Sequence, residues 1–173
     1  PMKTLGRTGL SISAVSIGTG GGQAPNVLQY GIKRGINYLH TSTGYANGKA
    51  IENLGKAIAG QRDKVVIGLK ITWDVKDDGA MDAALKTLGV ECADVAFFNI
   101  HSAAEVGQAK YREGAERWKK AGKFKFLGLT SHSETKACML AALEQGIYDV
   151  LMPSFNIGML DDFKPVFDKA AAQ

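Results

Sequence analysis

Apolar segments alternate with amphipathic ones along the chain, and the two kinds have the periodicities of strands and helices. The segment Val65–Lys70, VVIGLK, is apolar up to its last residue, which is typical of a parallel strand buried on both faces. Glycines stand where the intervening helices should end, at Gly60, Gly89, Gly122 and Gly146. The pattern therefore predicts repeated right-handed βαβ units.

The predicted elements follow a short N-terminal hairpin in residues 3–17. After a first strand that ends near Gly18, strands are predicted at Ile36–Leu39, Val65–Lys70, Ala93–His101, Phe124–His132 and Tyr148–Asn156. Helices are predicted at about Asn26–Arg34, Ala50–Ala59, Ala80–Leu88, a long basic segment that ends at Ala121, Glu134–Gln145, and from about Asp161 onward.

Polar residues stand at the carboxyl end of strand after strand: Thr19, His40, Lys70, His101, Ser131, His132 and Asn156. In a barrel these ends surround one shared site, whereas an open doubly wound sheet uses mainly the strands at its switch point. The pattern therefore favours the α/β class with a (β/α)8 TIM barrel, of which this sequence supplies six βα units. We expect residues 1–173 to form a single domain of this type, partial at its carboxyl terminus.

Three residues at such strand ends could act together as an acid–base site: Tyr45, Lys70 and His101. Lys70 closes an apolar strand, so burial should lower its pKa, and a nearby cation should lower the pKa of Tyr45 by stabilising the phenolate. A tyrosine tuned in this way can donate a proton near neutral pH. His101 could hold a carbonyl oxygen by a hydrogen bond.

Composition narrows the function classes. The 173 residues are 45% hydrophobic, which suits a globular protein, and no run approaches the length of a membrane span. Two distant cysteines, Cys92 and Cys138, predict neither a disulfide framework nor a zinc motif and favour a cytoplasmic location. A net charge of +4 without a dense basic patch argues against nucleic-acid binding and is compatible with an anionic cofactor.

Six segments in order resemble the aldo-keto reductase family. LGRTGLSISAVSIGTG resembles the family's opening hairpin and first strand, and GINYLHTSTGYANG resembles its second-strand motif, in which an Asp-Thr-Ala is followed two residues later by Tyr-Gly. The later matches are RDKVVIGLK, LKTLGVECADVAFFNIH, GKFKFLGLTS and YDVLMPSFNIG.

The resemblance implies carbonyl reduction by hydride transfer from a nicotinamide cofactor, normally NADPH, with NAD still possible. It implies that Tyr45 is the proton donor, that Lys70 is its pKa partner, and that His101 orients the carbonyl of a small-molecule aldehyde or ketone. It also places four residues near the nicotinamide: Thr19, Thr130, Ser131 and Asn156.

The sequence departs from the family pattern in three places. His40 stands where the family has the aspartate that pairs with Lys70, so Lys70 should lose its proton more readily. Met152 stands where a glutamine usually binds the nicotinamide carboxamide, and a thioether cannot replace that partner. The sequence also stops after the sixth unit, so we expect a longer native chain, or two copies that associate through their open barrel edges.

Two other functions remain open from the sequence. His40, Met152 and the short length favour a catalytically impaired barrel that serves as a binding or interaction protein. His40, His101 and Tyr45 could also be metal ligands, although nothing in their spacing requires it.

Overall fold

Six parallel strands form one sheet in the computed structural model, which describes all 173 residues. The strands are β3 (Ile17–Gly18), β4 (Tyr38–Ser42), β5 (Val66–Ile71), β6 (Ala93–Asn99), β7 (Phe124–Ser131) and β8 (Val150–Pro153). Each strand pairs only with its neighbours in sequence, so β3 and β8 are the two edges. Because a doubly wound sheet would reverse at a switch point, this order confirms the predicted six βα units of the (β/α)8 barrel type.

Helices connect the strands, and a separate antiparallel hairpin of β1 (Met2–Thr4) and β2 (Ser11–Ser13) precedes them. The helices are α1 (Pro25–Lys33), α2 (Lys49–Ile58), α3 (Asp78–Leu88), α4 (Ala103–Val106), α5 (Ala109–Lys120), α6 (Thr135–Gln145) and α7 (Leu160–Ala171). Pro25 occupies the first position of α1, where its missing N–H costs nothing. None of these helices has the length and apolar character that a membrane crossing requires.

Several element boundaries differ from the sequence prediction. The strand predicted at Ile36–Leu39 instead begins at Tyr38, because the Asn37 side chain accepts a hydrogen bond from the Ser13 backbone and donates one to the Ser11 carbonyl. His40 consequently lies inside β4 and not at its end.

Three other predicted elements are shorter or divided. The long basic helix is broken into α4 and α5, because Gln108 between them has extended backbone angles. The strand β6 ends at Asn99, so His101 lies in the following loop, and β8 covers only the middle of the predicted segment Tyr148–Asn156. Strand ends are set by pairing with neighbours, which local hydrophobicity does not report.

The two faces of the sheet are packed differently. Side chains alternate between faces along a strand, and the outer face packs against the helices in the main core, which includes Leu39, Leu69, Phe98 and Trp118. The inner face carries a smaller cluster formed by Val95, Phe97 and Val150, with Phe126, Met152 and two hairpin residues, Leu5 and Leu10, packed against it. The hairpin therefore packs against the inner cluster.

Phe97 lies between two glycines at the centre of the inner face. A Cβ atom at Gly128 would overlap the Phe97 ring, and one at Gly68 would lie 3.0 Å from Phe97 Cε2 and 3.1 Å from His40 Cδ2. Only glycine leaves room for this ring on both sides, so the two glycines decide where the ring lies.

A buried carboxylate joins three neighbouring strands at their amino-terminal ends. Asp94 is 3% exposed, and its oxygens accept hydrogen bonds from the Ile67 amide, from the Arg62 guanidinium at 2.8 Å and from the Lys125 ammonium at 2.8 Å. Because a buried carboxylate is stable only when it is paired and hydrogen-bonded, this network holds the β5–β6–β7 register.

Candidate active site on the inner face of the sheet

Strand register defines which side chains share the inner face. Residues that pair across parallel strands point to the same side, so one row contains Ser42, Lys70, Phe97, Gly128 and Val150. The row below contains His40, Gly68 and Val95, and the row above, toward the carboxyl ends, contains Asn99, Thr130 and Met152. Polar groups thus gather at the carboxyl-terminal half of this face.

Tyr45 begins a tight turn between β4 and α2. The turn Tyr45–Gly48 has left-handed backbone angles at Ala46 (φ 48°) and Asn47 (φ 52°), which are costly for residues other than glycine. The glycine-rich loop after β3 packs against it, since a Cβ at Gly22 would lie 3.0 Å from the Ala46 Cβ. Asn53 of α2 fixes that loop by donating to the Gly22 carbonyl at 3.4 Å and to the Gln23 carbonyl at 3.0 Å.

Lys70 contacts Tyr45 through the face of the aromatic ring. Its Nζ lies 5.4 Å from the ring centroid, in the range of a cation–π interaction. The Lys70 side chain lies on β5 and is 8% exposed, and this burial lowers the pKa of the ammonium. The structure therefore brings together two of the three residues predicted to form the acid–base site.

One electrostatic prediction is wrong in this structure. We expected Lys70 to lower the pKa of Tyr45, but burial raises the pKa of Tyr45 above its ordinary value. The physical reason is burial: desolvation disfavours the phenolate by more than the ammonium of Lys70, which lies over the ring face, stabilises it.

His40 packs against both aromatic side chains of the site. Its ring centroid lies 6.1 Å from that of Tyr45 and 5.5 Å from that of Phe97, in edge-to-face geometry. Burial is the main cause that lowers the pKa of His40 to about 4, and the positive charges of Lys70 and His132 lower it further. His40 is therefore neutral near neutral pH, and its buried Nε2 atom has no hydrogen-bond partner in the protein.

His101 lies at the same edge of the sheet but makes different contacts. It is exposed, its Nε2 lies 3.1 Å from the Asn99 amide nitrogen, and its backbone N–H donates to Glu105 at 3.4 Å. With Trp73, Asn99 and Tyr111 it lines a cavity of about 150 Å³ between the β5 and β6 loops. No group of three or more His, Cys, Asp or Glu side chains is arranged to hold a metal ion.

Two of the residues expected near the nicotinamide belong to the opposite face of the sheet. Thr19 and Ser131 are both 0% exposed; Thr19 donates to the Thr41 hydroxyl at 2.8 Å, and Ser131 donates to the Ser133 carbonyl at 2.5 Å. Ser131 also lies 3.6 Å from the Cys138 sulfur of α6. The expectation that every polar strand end points into one site is therefore wrong, because alternate residues of a strand face opposite sides.

The other three residues expected near the nicotinamide have different surroundings. Thr130 is 3% exposed on the inner face beside Asn99 and Met152. Met152 packs against the inner cluster, so its thioether is part of an apolar contact. Asn156 is exposed beyond β8, and its side-chain oxygen accepts a hydrogen bond from the Gly158 amide at 2.9 Å.

Sequence reasoning missed two polar residues of this face, Asn99 and Tyr38, and one on helix α2, Asn53. The side-chain oxygen of Asn99 and the hydroxyl oxygen of Tyr38 are buried without a hydrogen-bond partner. The Asn53 amide anchors the loop beside Tyr45. For Asn99 a signal existed, since it follows Val95 and Phe97 at the two-residue spacing of one strand face. Tyr38 precedes His40 at the same spacing.

Two curated relatives share part of this sequence. One is a protein of Arabidopsis thaliana named as a probable voltage-gated potassium channel subunit beta, 33% identical over 55% of this chain. The other is the uncharacterized oxidoreductase YqkF of Bacillus subtilis, 34% identical over 44% of this chain. The matched segments span 36% and 28% of the relatives' own lengths.

Solved structures share the fold over nearly the whole chain. A Pseudomonas aeruginosa protein assigned to the aldo-keto reductases superposes with a TM-score of 0.83 at 22% identity, covering 99% of this chain and 74% of its own. An aldo-keto reductase from Klebsiella pneumoniae, solved in complex with NADPH, superposes with a TM-score of 0.79 at 21% identity, covering 98% and 64%. The family model for the aldo/keto reductase family matches residues 21–172, and the chain therefore belongs to this family.

Proposed function

We propose that this protein reduces an aldehyde or ketone to an alcohol with a nicotinamide cofactor, and that Tyr45 donates the proton. The observation that carries the proposal is the contact between the buried Lys70 ammonium and the Tyr45 ring at 5.4 Å, at the carboxyl ends of the strands in a member of this family. Ligands of parallel α/β folds bind at this end.

The residues divide the work of carbonyl reduction among them. Tyr45 gives its hydroxyl proton to the carbonyl oxygen, and the positive charge of Lys70 stabilises the phenolate that remains. His101, exposed at the rim beside Asn99, orients the carbonyl by a hydrogen bond. A bound nicotinamide cofactor would supply the hydride to the carbonyl carbon, so that the products would be the alcohol and the oxidised nicotinamide.

The inner face fits the nicotinamide end of NADPH in part. Thr130 offers a hydroxyl in the row beside Asn99, whose buried oxygen lacks a partner and could accept a carboxamide N–H. Asn156 is exposed close to the end of β8. Met152 offers no hydrogen bond of comparable strength, so the carboxamide would depend on Asn99 and Thr130. NADPH is the proposed cofactor, as in the Klebsiella pneumoniae complex, and NAD is the competing one.

The test compares Tyr45→Phe with Tyr30→Phe, which alters an exposed tyrosine on α1. NADPH consumption is followed by absorbance with a panel of aldehydes and ketones. We expect Tyr45→Phe to lower kcat by roughly 10²–10⁴-fold, the usual contribution of a positioned proton donor, and Tyr30→Phe to leave it unchanged. Equal turnover in both variants would refute the role of Tyr45.

A second function is favoured by His40, which gives Lys70 no compensating negative charge. A binding or interaction protein on this scaffold needs no proton donor, and one relative is named as a channel subunit. This function predicts that His40→Asp creates no turnover and that neither NADPH nor NADH raises the melting temperature. Clear stabilisation by NADPH would count against it.

A further inference from the structure

The inner face carries one formal positive charge that no carboxylate compensates. Lys70 takes part in none of the nine ion pairs of the chain. The buried Asp94 and the half-buried Asp149 lie at the amino-terminal ends of the strands, where Asp94 binds Arg62 and Lys125 and Asp149 binds Arg7. A cation that is 8% exposed is costly unless a counter-charge reaches it.

A second observation at the same place indicates a missing hydrogen-bond partner. His40 is 9% exposed, and its buried Nε2 atom contacts no donor or acceptor of the protein. The His40 ring centroid lies 6.1 Å from that of Tyr45, and the Lys70 Nζ lies 5.4 Å from the same Tyr45 ring centroid. In the neutral tautomer protonated at Nε2, His40 can donate one hydrogen bond, and Lys70 can donate several.

We propose that this site takes a carbonyl substrate that bears a carboxylate next to its carbonyl, such as a small 2-oxo acid, and that the carboxylate binds Lys70 and His40. The inference rests on the proposed carbonyl reduction and names its substrate class. The substrate would supply the negative charge that the protein itself does not place beside Lys70. The Lys70 Nζ lies over the Tyr45 ring. A substrate whose carboxylate binds Lys70 would therefore hold its adjacent carbonyl group beside Tyr45, the proposed proton donor.

The binding test requires neither cofactor nor turnover. The whole protein is titrated at constant ionic strength with acetate, with acetamide as the neutral isostere, and with inorganic phosphate as an unrelated anion, while the resonances of the three histidine rings are followed by NMR. We expect acetate to shift the His40 and His132 signals in a saturable way, and acetamide to bind about tenfold more weakly or worse, because it lacks the charge.

A pair of lysine variants locates the charge responsible. Lys70→Met should weaken acetate binding by about tenfold or more, whereas Lys76→Met, which removes the same charge from an exposed position after β5, should leave it unchanged. The comparison of acetate with acetamide needs no substitution, so it still shows whether the site prefers a negative charge if Lys70→Met does not fold.

Three results would overturn the inference: no saturable shift with acetate, equal binding of acetamide or phosphate, or equal weakening by the two lysine variants. Turnover is scored separately with pyruvate and with neutral aldehydes of similar size. If the protein reduces neutral aldehydes but does not bind acetate, the inferred substrate class is refuted while the proposed carbonyl reduction stands. Acetate binding without any turnover would remove the proposed function and leave the anion site.

Discussion

The buried histidine should make the protein sensitive to mild acid. His40 has a pKa of about 4 in the folded chain, against 6.5 for an unperturbed histidine, because it is buried and faces Lys70 and His132. The unfolded chain therefore takes up a proton at a higher pH than the folded chain does. The free energy of unfolding should be highest above pH 6.5 and should fall as the pH falls toward 4.

The size of the effect follows from the shift in pKa. One pKa unit corresponds to about 1.4 kcal/mol, so the change from 6.5 to about 4 corresponds to about 3 kcal/mol. Between about pH 7.5 and about pH 5 the unfolded histidine becomes almost fully protonated while the folded one stays mostly neutral, and the expected loss is about 2 kcal/mol. This window ends above the pKa values of ordinary carboxyl groups, about 3.9 for Asp and about 4.3 for Glu.

Urea unfolding at the two pH values measures the loss directly. His40→Asn should remove most of the pH dependence, whatever it does to stability at neutral pH, because the comparison is made within each variant. His101→Asn is the matched control, since it removes an exposed histidine that is not among the causes of the His40 shift and keeps the buried one. If the wild-type protein loses less than about 0.5 kcal/mol, or if His40→Asn loses as much as the wild type, the inference of a buried neutral histidine is refuted.

Two further predictions concern stability. Gly128→Ala should lower the free energy of unfolding by about 1–3 kcal/mol, because the new Cβ overlaps the Phe97 ring. Gly20→Ala is the control in thermal unfolding, since a Cβ there meets no atom within 4 Å and should leave the melting temperature nearly unchanged. Equal melting temperatures of the two variants would show that the Phe97 ring moves freely. Asp94→Ala should lower the free energy of unfolding in urea by about 2–3 kcal/mol, because it leaves the Ile67 amide and the Arg62 guanidinium without their acceptor. Asp63→Ala is the control, because it removes an exposed carboxylate. A small effect of Asp94→Ala would mean that water replaces the carboxylate.

Local pattern was sufficient for the order of the elements. The apolar strand predicted at Val65–Lys70 is found at Val66–Ile71, one residue later, and the left-handed glycines Gly89 and Gly146 end helices as predicted, because both features depend on residues near in sequence. The βαβ order then restricts the topology to very few arrangements, so the barrel type followed from the sequence.

The tertiary structure decided which polar groups meet. Thr19 and Ser131 face the helices, and the residue types at the strand ends could not show this. The face to which a side chain points depends on strand register, because a shift of one residue moves every side chain of the strand to the other face. The burial of His40 beside Phe97, and the position of the Lys70 ammonium over the Tyr45 ring, depend on contacts between residues far apart in sequence. The sequence by itself determined the chemical groups and their order, while strand register and burial decided their charges and partners, because desolvation and pairing exist only once the chain is folded.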